Sequence, residues 1–180
     1  MDSMAKLCTR NISNIVLVGM PGVGKSTLGV ILAKSLGMGF VDTDILIQQE
    51  EKQTLQEIID AAGYLALRGV EEKVLLQLEC SRHVIATGGS AVYSSRAMAH
   101  LGATGMIVFM QLDFAELQRR VRDYHVRGIA RRPDQSFYDL FCERSALYTR
   151  YADITVDCRN RTLEEICDEI RLEFAVFAGG

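Results

Sequence analysis

The chain has 180 residues, of which 48% are hydrophobic and 24% are charged. This length predicts one domain over residues 1–180, and the composition is typical of a globular protein rather than a disordered one. The formal net charge of −3 provides no general field for holding a polyanion, so we expect no nucleic-acid partner. Basic residues are concentrated between Arg119 and Arg132, which suggests a local anion site.

The cysteines and the apolar segments bear on the cellular compartment. The number of cysteines is odd, and none forms a Cys-x-x-Cys pair or has a histidine at metal-ligand spacing. We therefore expect free thiols in a reducing compartment and no zinc site. The longest apolar runs have strand length and the N-terminus lacks a signal core, so we expect a cytoplasmic monomer without a membrane partner. The cysteines are Cys8, Cys80, Cys142, Cys158 and Cys167.

The first predicted strand, Ile15–Val18, leads into a glycine-rich loop. The segment Gly19–Thr27 matches Gly-x-x-x-x-Gly-Lys-Ser/Thr at every fixed position, and apolar residues then recur at helical spacing. This order predicts a phosphate-binding loop, in which Lys25 reaches the β- and γ-phosphates and the Ser26 hydroxyl binds Mg²⁺. A chance match to a Gly/Ser turn is the alternative, and the flanking strand and helix argue against it. The residues expected at the nucleotide are Gly22, Val23, Gly24, Lys25, Ser26 and Thr27.

Strand-like apolar runs alternate with helical periodicity along the rest of the chain. This alternation predicts an α/β fold with a parallel sheet and helices on both faces. No repeat, low-complexity tract or proline-rich linker divides the chain. The predicted strands are 15–18, 39–41, 83–86, 106–110 and 154–156, and the predicted helices are 25–36, 55–80, 94–101, 114–124, 137–150 and 163–174.

Ligands of such sheets bind beyond the carboxyl ends of the strands, where Asp42 and Asp44 follow the second strand. They could cap the next helix, or they could supply the carboxylates that Mg²⁺ and a nucleophile require. The third strand ends in 87–90, which contain no acid, and Asp113 begins a sequence typical of a capping box. By elimination, the sequence favours Asp42 and Asp44 for carboxylate chemistry.

Glycines and arginines complete the candidate site. Gly88 and Gly89 follow the third strand, where missing side chains let backbone N–H groups approach a phosphate or a substrate. Arg68 and Arg144 each have an acidic residue nearby in sequence, so surface ion pairing is the simpler interpretation of either one alone. The basic, glycine-containing segment 120–132 predicts a mobile lid that brings a guanidinium onto a transferred phosphoryl group.

Taken in order, these motifs resemble those of the shikimate kinases, from about Asn11 to Phe174. The resemblance implies an α/β fold with a five-stranded parallel sheet, of the three-layer nucleoside-monophosphate-kinase-like type. It also implies a substrate-binding subdomain at about 41–70 and a lid at about 121–137. The implied reaction transfers a phosphoryl group from ATP, with Mg²⁺, to the 3-hydroxyl of shikimate in aromatic amino-acid biosynthesis. Besides the phosphate loop, the matching segments are Phe40–Asp44, Leu67–Glu71, Ala86–Ser90 and Glu143–Tyr148, followed by 152–153 and 156–157.

The resemblance implies a role for each matched residue. Asp44 would bind the shikimate hydroxyls and accept the proton of the attacking hydroxyl, while Asp42 would hold Mg²⁺ through water beside its direct ligand Ser26. Lys25 and a lid arginine would neutralise charge on the phosphoryl group. Arg120 would lie against adenine. The substrate would contact Asp44, Arg68, Gly88, Gly89 and Arg144, with the two arginines on its carboxylate.

The lid arginine has two candidates. Arg127 gives family-like segment lengths on both sides, and Gly128 would let the backbone fold over the phosphates. Arg132 precedes Pro133 as in the family's dipeptide, but it leaves few residues before Arg144. We predict that Arg127 is the catalytic lid arginine and that Arg132 assists at the phosphates.

Three positions depart from the family's pattern and concern the acid substrate rather than the nucleotide. Tyr64 stands where glutamate is frequent, Leu67 replaces phenylalanine, and Ser90 replaces the third glycine. One alternative is therefore a related kinase for another hydroxylated carboxylic acid, and another is an inactive nucleotide-binding regulatory module. Two arginines favour an anionic small-molecule substrate over a neutral polyol.

Overall fold

A computed structural model describes residues 10–121 and 128–179. The strands are β1 (Asn14–Val18), β2 (Gly39–Asp42), β3 (His83–Ala86), β4 (Gly105–Gln111) and β5 (Ile154–Asp157). The helices in these ranges are α1 (Lys25–Leu36), α2 (Thr43–Glu51), α3 (Leu55–Ala62), α4 (Tyr64–Gln77), α5 (Ser95–Thr104), α6 (Phe114–Arg120), α7 (Phe137–Tyr151) and α8 (Leu163–Ala178), and a 3₁₀ turn spans Ala91–Tyr93. None of these helices is long and apolar enough to cross a membrane.

The five strands form one parallel sheet in the order β2-β3-β1-β4-β5. Helices flank it: α1 and α8 pack together against the sheet, and α5 contacts β1 and β4. The predicted α/β fold with a five-stranded parallel sheet is confirmed. Because β1 lies between β3 and β4, the loops that follow β1 and β3 emerge side by side at the edge where such sheets bind ligands.

The sheet's central strand is also the centre of the main core. All five residues of Asn14–Val18 are buried, in agreement with the continuous apolar run that a central parallel strand requires. On the adjacent helix α1, Leu28 and Leu32 are fully buried. Burial of each such aliphatic side chain contributes about 1.5–3 kcal/mol to folding, so this core gives the loop after β1 a rigid base.

A second, smaller core lies apart from the sheet. It consists of buried apolar residues from α2, α3 and α4, and it also includes Ala130 from the segment after the undescribed residues. The predicted subdomain at about 41–70 remains a prediction, and this cluster gives it a physical basis because the three helices share an apolar interior. The buried members of the cluster are Ile47, Ile58, Leu67, Val74 and Ala130.

The helix predicted over 55–80 is wrong as a single element. The chain leaves the helical conformation at Gly63, where φ is 84° and ψ is 167°, so α3 and α4 are separate helices. Only glycine adopts this region of the backbone map without strain. The break changes the direction of the chain and thereby gives α4 an orientation independent of α3.

Two further helices differ from the prediction. Helix α2 was not predicted, because only Thr43 and Ile47 are buried and its apolar periodicity is weak. Helix α6 ends at Arg120 rather than at 124, and residues 122–124 lie outside the described residues. Asp113 caps α6 as predicted, by accepting a hydrogen bond from the backbone N–H of Glu116 at 2.8 Å.

Candidate active site

A cavity of about 500 Å³ opens at the carboxyl edge of the sheet. Its walls come from the segments that follow β1, β2 and β3, from α4 and α7, and from the backbone of residues 128–130. The structure thus brings together most of the predicted site residues at the edge where the topology places a ligand. Those lining the cavity are Gly22, Gly24, Lys25, Ser26, Thr27, Asp44, Gly88, Gly89, Arg120 and Arg144.

Lys25 is the buried cation of the phosphate loop. It is the first residue of α1, which begins after Gly24 in the left-handed conformation (φ 106°). Its ammonium group donates hydrogen bonds to the carbonyl oxygens of Gly19 at 2.8 Å and Met20 at 3.1 Å. Burial lowers the pKa of Lys25 to about 8, and Asp44 opposes this shift. A phosphate bound at this loop would therefore meet a positive charge that is already desolvated and held by the loop backbone.

Ser26 and Asp42 form a pair of oxygen ligands beside this loop. The Ser26 hydroxyl donates to Oδ2 of Asp42 at 2.5 Å, and Oδ1 of Asp42 accepts from the backbone N–H of Asp44 at 3.0 Å. Asp42 thus caps α2, as one sequence interpretation predicts, and also contacts the phosphate loop; its role toward Mg²⁺ stays a prediction. Hydroxyl and carboxylate oxygens suit Mg²⁺, which usually takes one or two protein ligands and completes its shell with phosphate and water. Within the described residues no cluster of three or more histidine, cysteine, aspartate or glutamate side chains is placed to hold a metal ion.

Asp44 lies in the first turn of α2 and lines the same cavity as Lys25. Desolvation raises the pKa of Asp44 above its usual value, and the Lys25 charge opposes the shift. A Cβ atom at Gly88 would collide first with Oε1 of Glu71 and would also meet Oδ1 of Asp44 at 2.7 Å. Two carboxylates therefore approach the backbone of Gly88 closely. Its N–H donates to the hydroxyl of Thr43 at 3.0 Å.

Glu71 is a site residue that the sequence analysis did not select. It lines the cavity from α4 and is 3% exposed. Its Oε2 atom accepts a short hydrogen bond from the Ser90 hydroxyl, and Oε1 has no partner among the described residues. Burial raises the pKa of Glu71 to about 7, with a further contribution from Asp44. In the sequence Glu71 is only an acid near Arg68, with which a surface ion pair is one interpretation; the fold shows that Glu71 is buried.

Arg144 is the largest buried side chain of the cavity, at 1% exposure. Its Nη2 donates to the carbonyl oxygen of Ala130 at 2.7 Å, and its buried Nε has no hydrogen-bond partner among residues 10–121 and 128–179. Gly89 lies beside it, and a Cβ atom at that position would meet Nη1 of Arg144 at 2.6 Å. The Gly89 carbonyl oxygen accepts from the Tyr148 hydroxyl at 2.7 Å, which fixes this peptide. A buried guanidinium with donors to spare is suited to an anion.

Arg68 does not line the same cavity as Arg144. It lines an adjoining cavity of about 380 Å³, and Glu71 and Ser90 line both cavities. Its Nη2 reaches toward the same Ala130 carbonyl oxygen, at 3.4 Å. Within the described parts of the chain, neither Arg68 nor Arg144 has an acidic group within ion-pair distance. The simple interpretation of surface ion pairing therefore fails for both arginines.

The three predicted nucleotide-side arginines have different placements. Arg120 lines the cavity, pairs with Glu116 at 3.0 Å and reaches toward the Val23 carbonyl oxygen at 3.4 Å. Arg132 does not line this cavity and pairs instead with Glu143 at 3.2 Å. Arg127 lies outside the described residues, as does most of the first half of the predicted lid. The choice of lid arginine stays a prediction.

The fold and the cavity together define a class of protein. Three features meet at one edge of the sheet. They are a phosphate loop with the buried Lys25, the hydroxyl–carboxylate pair of Ser26 and Asp42, which suits Mg²⁺, and the carboxylate of Asp44. Phosphoryl transfer needs this combination of positioning and charge neutralisation. The protein is therefore a P-loop phosphotransferase by class. Arg144, buried in the wall of this cavity, has the charge and the hydrogen-bond donors that suit an anionic acceptor.

Comparison with known proteins identifies the family. The family model described as "Shikimate kinase" matches residues 21–175. The shikimate kinase of Rippkaea orientalis is 37% identical over 161 residues, which cover 87% of this chain and 85% of that protein. The chain belongs to the shikimate kinase family, whose members use ATP as phosphate donor. This confirms the resemblance drawn from the motifs.

Solved structures agree with the sequence comparison. Shikimate kinase from Acinetobacter baumannii, solved in complex with shikimate, superposes with a TM-score of 0.84 at 27% identity and covers 97% of both chains. The enzyme from Aquifex aeolicus has a TM-score of 0.77 at 32% identity, and covers 93% of this chain and 99% of that one. Both share the nucleoside-monophosphate-kinase-like fold, so the predicted three-layer architecture is confirmed.

Proposed function

We propose that the protein transfers the γ-phosphoryl group of ATP to the 3-hydroxyl of shikimate, giving shikimate 3-phosphate and ADP. The observation that carries this proposal is the pair Asp44 and Arg144. One cavity holds a desolvated carboxylate beside the phosphate loop and a buried guanidinium with no acidic partner among the described residues. A hydroxy acid has the two groups that such a cavity can bind at once, a hydroxyl and a carboxylate.

On the nucleotide side, the phosphate loop and Lys25 would hold the β- and γ-phosphates. Their charge is met by the loop's backbone N–H groups, by the N-terminus of α1 and by the desolvated ammonium group. Ser26 and Asp42 would hold Mg²⁺, which supplies neutralisation of the charge that develops on the transferred group. Arg120, at the rim, would lie against the adenine. Arg127 stays our candidate for the lid guanidinium.

On the acceptor side, Asp44 would orient the attacking hydroxyl and accept its proton. The raised pKa of Asp44 makes the carboxylate a better base than an exposed aspartate, and the Lys25 charge limits this rise. Arg144 and Arg68 would bind the substrate carboxylate, and the Gly88–Gly89 backbone would contact the ring hydroxyls. Because Gly89 is fixed by Tyr148, this side of the cavity is preorganised.

The remaining features of the proposal follow the family. We infer that the protein works with Mg²⁺ as a cytoplasmic monomer and takes part in aromatic amino-acid biosynthesis. Size-exclusion chromatography with light scattering tests the oligomeric state. Omission of Mg²⁺ with excess chelator tests the metal requirement, and loss of turnover is the expected result.

A coupled ADP-release assay tests the reaction. Shikimate, related hydroxylated acids and neutral polyols are offered with ATP·Mg²⁺, and we expect turnover with shikimate to exceed that with every other compound. Preference for another acid would favour the related-kinase alternative. Thermal-shift measurements address the regulatory-module alternative, because a catalytic site predicts added stabilisation by shikimate beyond that given by nucleotide.

A further inference from the structure

The guanidinium of Arg68 contacts two tyrosine rings. Its Cζ atom is 3.4 Å from the ring centroid of Tyr93 and 5.1 Å from that of Tyr64. The Cζ atom of Arg144 is 5.5 Å from the same Tyr93 centroid. One ring therefore contacts both arginines that face the acceptor side of the site, and a second ring contacts Arg68 from its own helix. We call Tyr64 and Tyr93 the aromatic clamp.

A guanidinium can be held by its faces or by its edges, and the two have different consequences. Contact of a ring with the face uses the π-system and leaves the N–H donors of the edge unspent. In the described part of the chain, the Arg68 side chain makes one hydrogen bond, from Nη2 to the Ala130 carbonyl oxygen at 3.4 Å, and its Nε is buried without a partner. Arg68 is thus held in place by the clamp while its edge stays available to an anion.

The position of Tyr93 is fixed by its own contacts. It is the last residue of the 3₁₀ turn that follows the Gly88–Gly89 segment. Its hydroxyl donates to Oε1 of Glu143 at 2.5 Å, and Oε2 of Glu143 is held by Gln135 at 2.8 Å and by Arg132 at 3.2 Å. The ring is consequently a fixed platform rather than a free side chain.

Tyr64 is brought to Arg68 by its spacing along the helix. It is the first residue of α4 and precedes Arg68 by four residues, so the two side chains are neighbours on one helix face. A glutamate at 64 would pair with the Arg68 edge in the favourable i,i+4 orientation. A tyrosine has no such effect, since its ring contacts the face.

We propose that Tyr64 and Tyr93 are positioning residues that set the protein's selectivity for a carboxylate-bearing substrate, by holding Arg68 through its faces and keeping its edge free. Tyr93 extends the same support to Arg144. This inference rests on the proposed function, because it assumes that the two arginines receive the carboxylate of the acid. Neither tyrosine touches the reacting atoms, so the clamp acts on substrate binding and not on the transfer step.

The test compares four variants in steady-state kinetics. Tyr93→Leu removes the ring, and we expect KM for shikimate to rise about ten-fold, with kcat and KM for ATP changing less than about two-fold. Tyr93→Phe keeps the ring and loses only the Glu143 bond, so it should retain most of the wild-type KM. Tyr64→Glu should raise KM for shikimate as well, because the new carboxylate competes for the Arg68 edge, whereas Tyr64→Phe should not.

Controls separate the clamp from general destabilisation and from the proposed function. Tyr138→Leu removes an exposed tyrosine outside the site and should leave all constants unchanged. Each variant is also assayed with the carboxamide of the acid that the wild type prefers, and the acid-to-amide ratio of kcat/KM should fall in Tyr93→Leu and Tyr64→Glu only. If the wild type prefers another acid, the proposed function fails while the ratio still tests the clamp. An unchanged ratio in both variants, or a fall in kcat alone, would overturn the inference.

Discussion

The hydroxyl oxygen of Ser26 lies 2.5 Å from Oδ2 of Asp42, although 16 residues separate them in the chain. Ser26 is the second residue of α1, which follows β1, and Asp42 is the last residue of β2. These two strands are not neighbours in the sheet, since β3 lies between them. The contact therefore joins the phosphate loop to the start of α2, which carries Asp44. This hydrogen bond therefore connects the proposed Mg²⁺ ligands to the helix that carries Asp44, the residue proposed to bind the acceptor hydroxyl.

Replacement of Lys25 by alanine should nearly abolish turnover. The variant loses the only buried ammonium group among the cavity residues that the structure describes, and with it charge neutralisation on the transferred phosphoryl group. We expect kcat/KM to fall far more than ten-fold, a loss well above about 1.4 kcal/mol. Lys34→Ala, on the exposed last turn of α1, is the matched control and should be silent. Retention of a tenth of the activity would contradict the assigned role.

Replacement of Asp44 by asparagine should separate catalysis from nucleotide binding. The amide keeps the shape of the side chain but loses the charge and the proton acceptor, so turnover should fall by at least about 10²-fold. Binding of ATP·Mg²⁺, measured by calorimetry, should be largely retained. Asp42→Asn should show the opposite balance, with weaker Mg²⁺-dependent nucleotide binding. If the two variants exchange these phenotypes, our assignment of the base and the metal residue is reversed.

Replacement of Arg68 by lysine should be damaging even though the charge is kept. A lysine makes no planar two-point contact with a carboxylate and stacks less well between the rings of Tyr64 and Tyr93. We expect a KM for shikimate raised by about ten-fold or more and little change in KM for ATP. Arg96→Lys, in an exposed ion pair with Glu72, serves as the control. A silent Arg68→Lys substitution would remove Arg68 from the substrate site.

Alanine substitutions at the two lid candidates should distinguish them. We expect Arg127→Ala to lower kcat more than it weakens substrate binding, because its guanidinium would act on the transferred phosphoryl group. Arg132 pairs with Glu143, so Arg132→Ala should have a smaller effect on kcat. Loss of turnover in Arg132→Ala alone would show that our register for this segment is wrong.

The stability of the protein should depend on pH through Glu71. Burial raises the pKa of Glu71 from 4.5 to about 7, so between these values the folded state binds a proton that the unfolded state does not. The free energy of unfolding contributed by this group therefore decreases as the pH rises through this window. Glu71→Gln resembles the protonated form and removes the dependence. At pH 8 it should be more stable than the wild type by up to roughly 3 kcal/mol, with little difference at pH 4.5.

Urea unfolding at pH 4.5, 6 and 8 measures this effect. Glu79→Gln, at an exposed position just beyond α4, is the control and should follow the wild type at each pH. A constant difference between Glu71→Gln and the wild type across the three pH values would show that Glu71 does not titrate in this window.

The sequence predicts the sheet well because the strand signal is local. Every strand was placed to within a residue at each end, and the loop 19–27 was recognised from its own pattern and its flanking elements. Helix α2 was not predicted because it buries only two residues and so has a weak apolar periodicity. The break at Gly63 was not predicted because it depends on a backbone conformation, which periodicity does not report. The family resemblance supplied residue roles that spacing alone left open.

The inner wall of the site was less predictable, since its contacts join distant parts of the chain. Spacing offers Glu71 only as an acid near Arg68, whereas in the fold it accepts a hydrogen bond from Ser90, in the segment that follows β3. Tyr93 carries no motif, and its contact with Arg68 exists only because the 3₁₀ turn faces α4. Long-range packing of this kind leaves no periodic trace in the sequence.

The carbonyl oxygen of Ala130 accepts from both Arg144 and Arg68, and Gly128 is held two residues earlier by the side chain of Gln56 on α3. Residues 128–130, which line the cavity, are thus held by the guanidiniums that would receive the acid. An anion that binds the N–H groups of these guanidiniums changes the hydrogen bonds that hold this segment. Movement of the segment in turn changes which N–H groups are available to the anion. By thermodynamic reciprocity, if binding of the acid shifts the position of segment 128–130, then a shift of this segment changes the affinity for the acid by the same factor. The acid and any ligand that moves this segment would then influence each other through the Ala130 peptide group without touching.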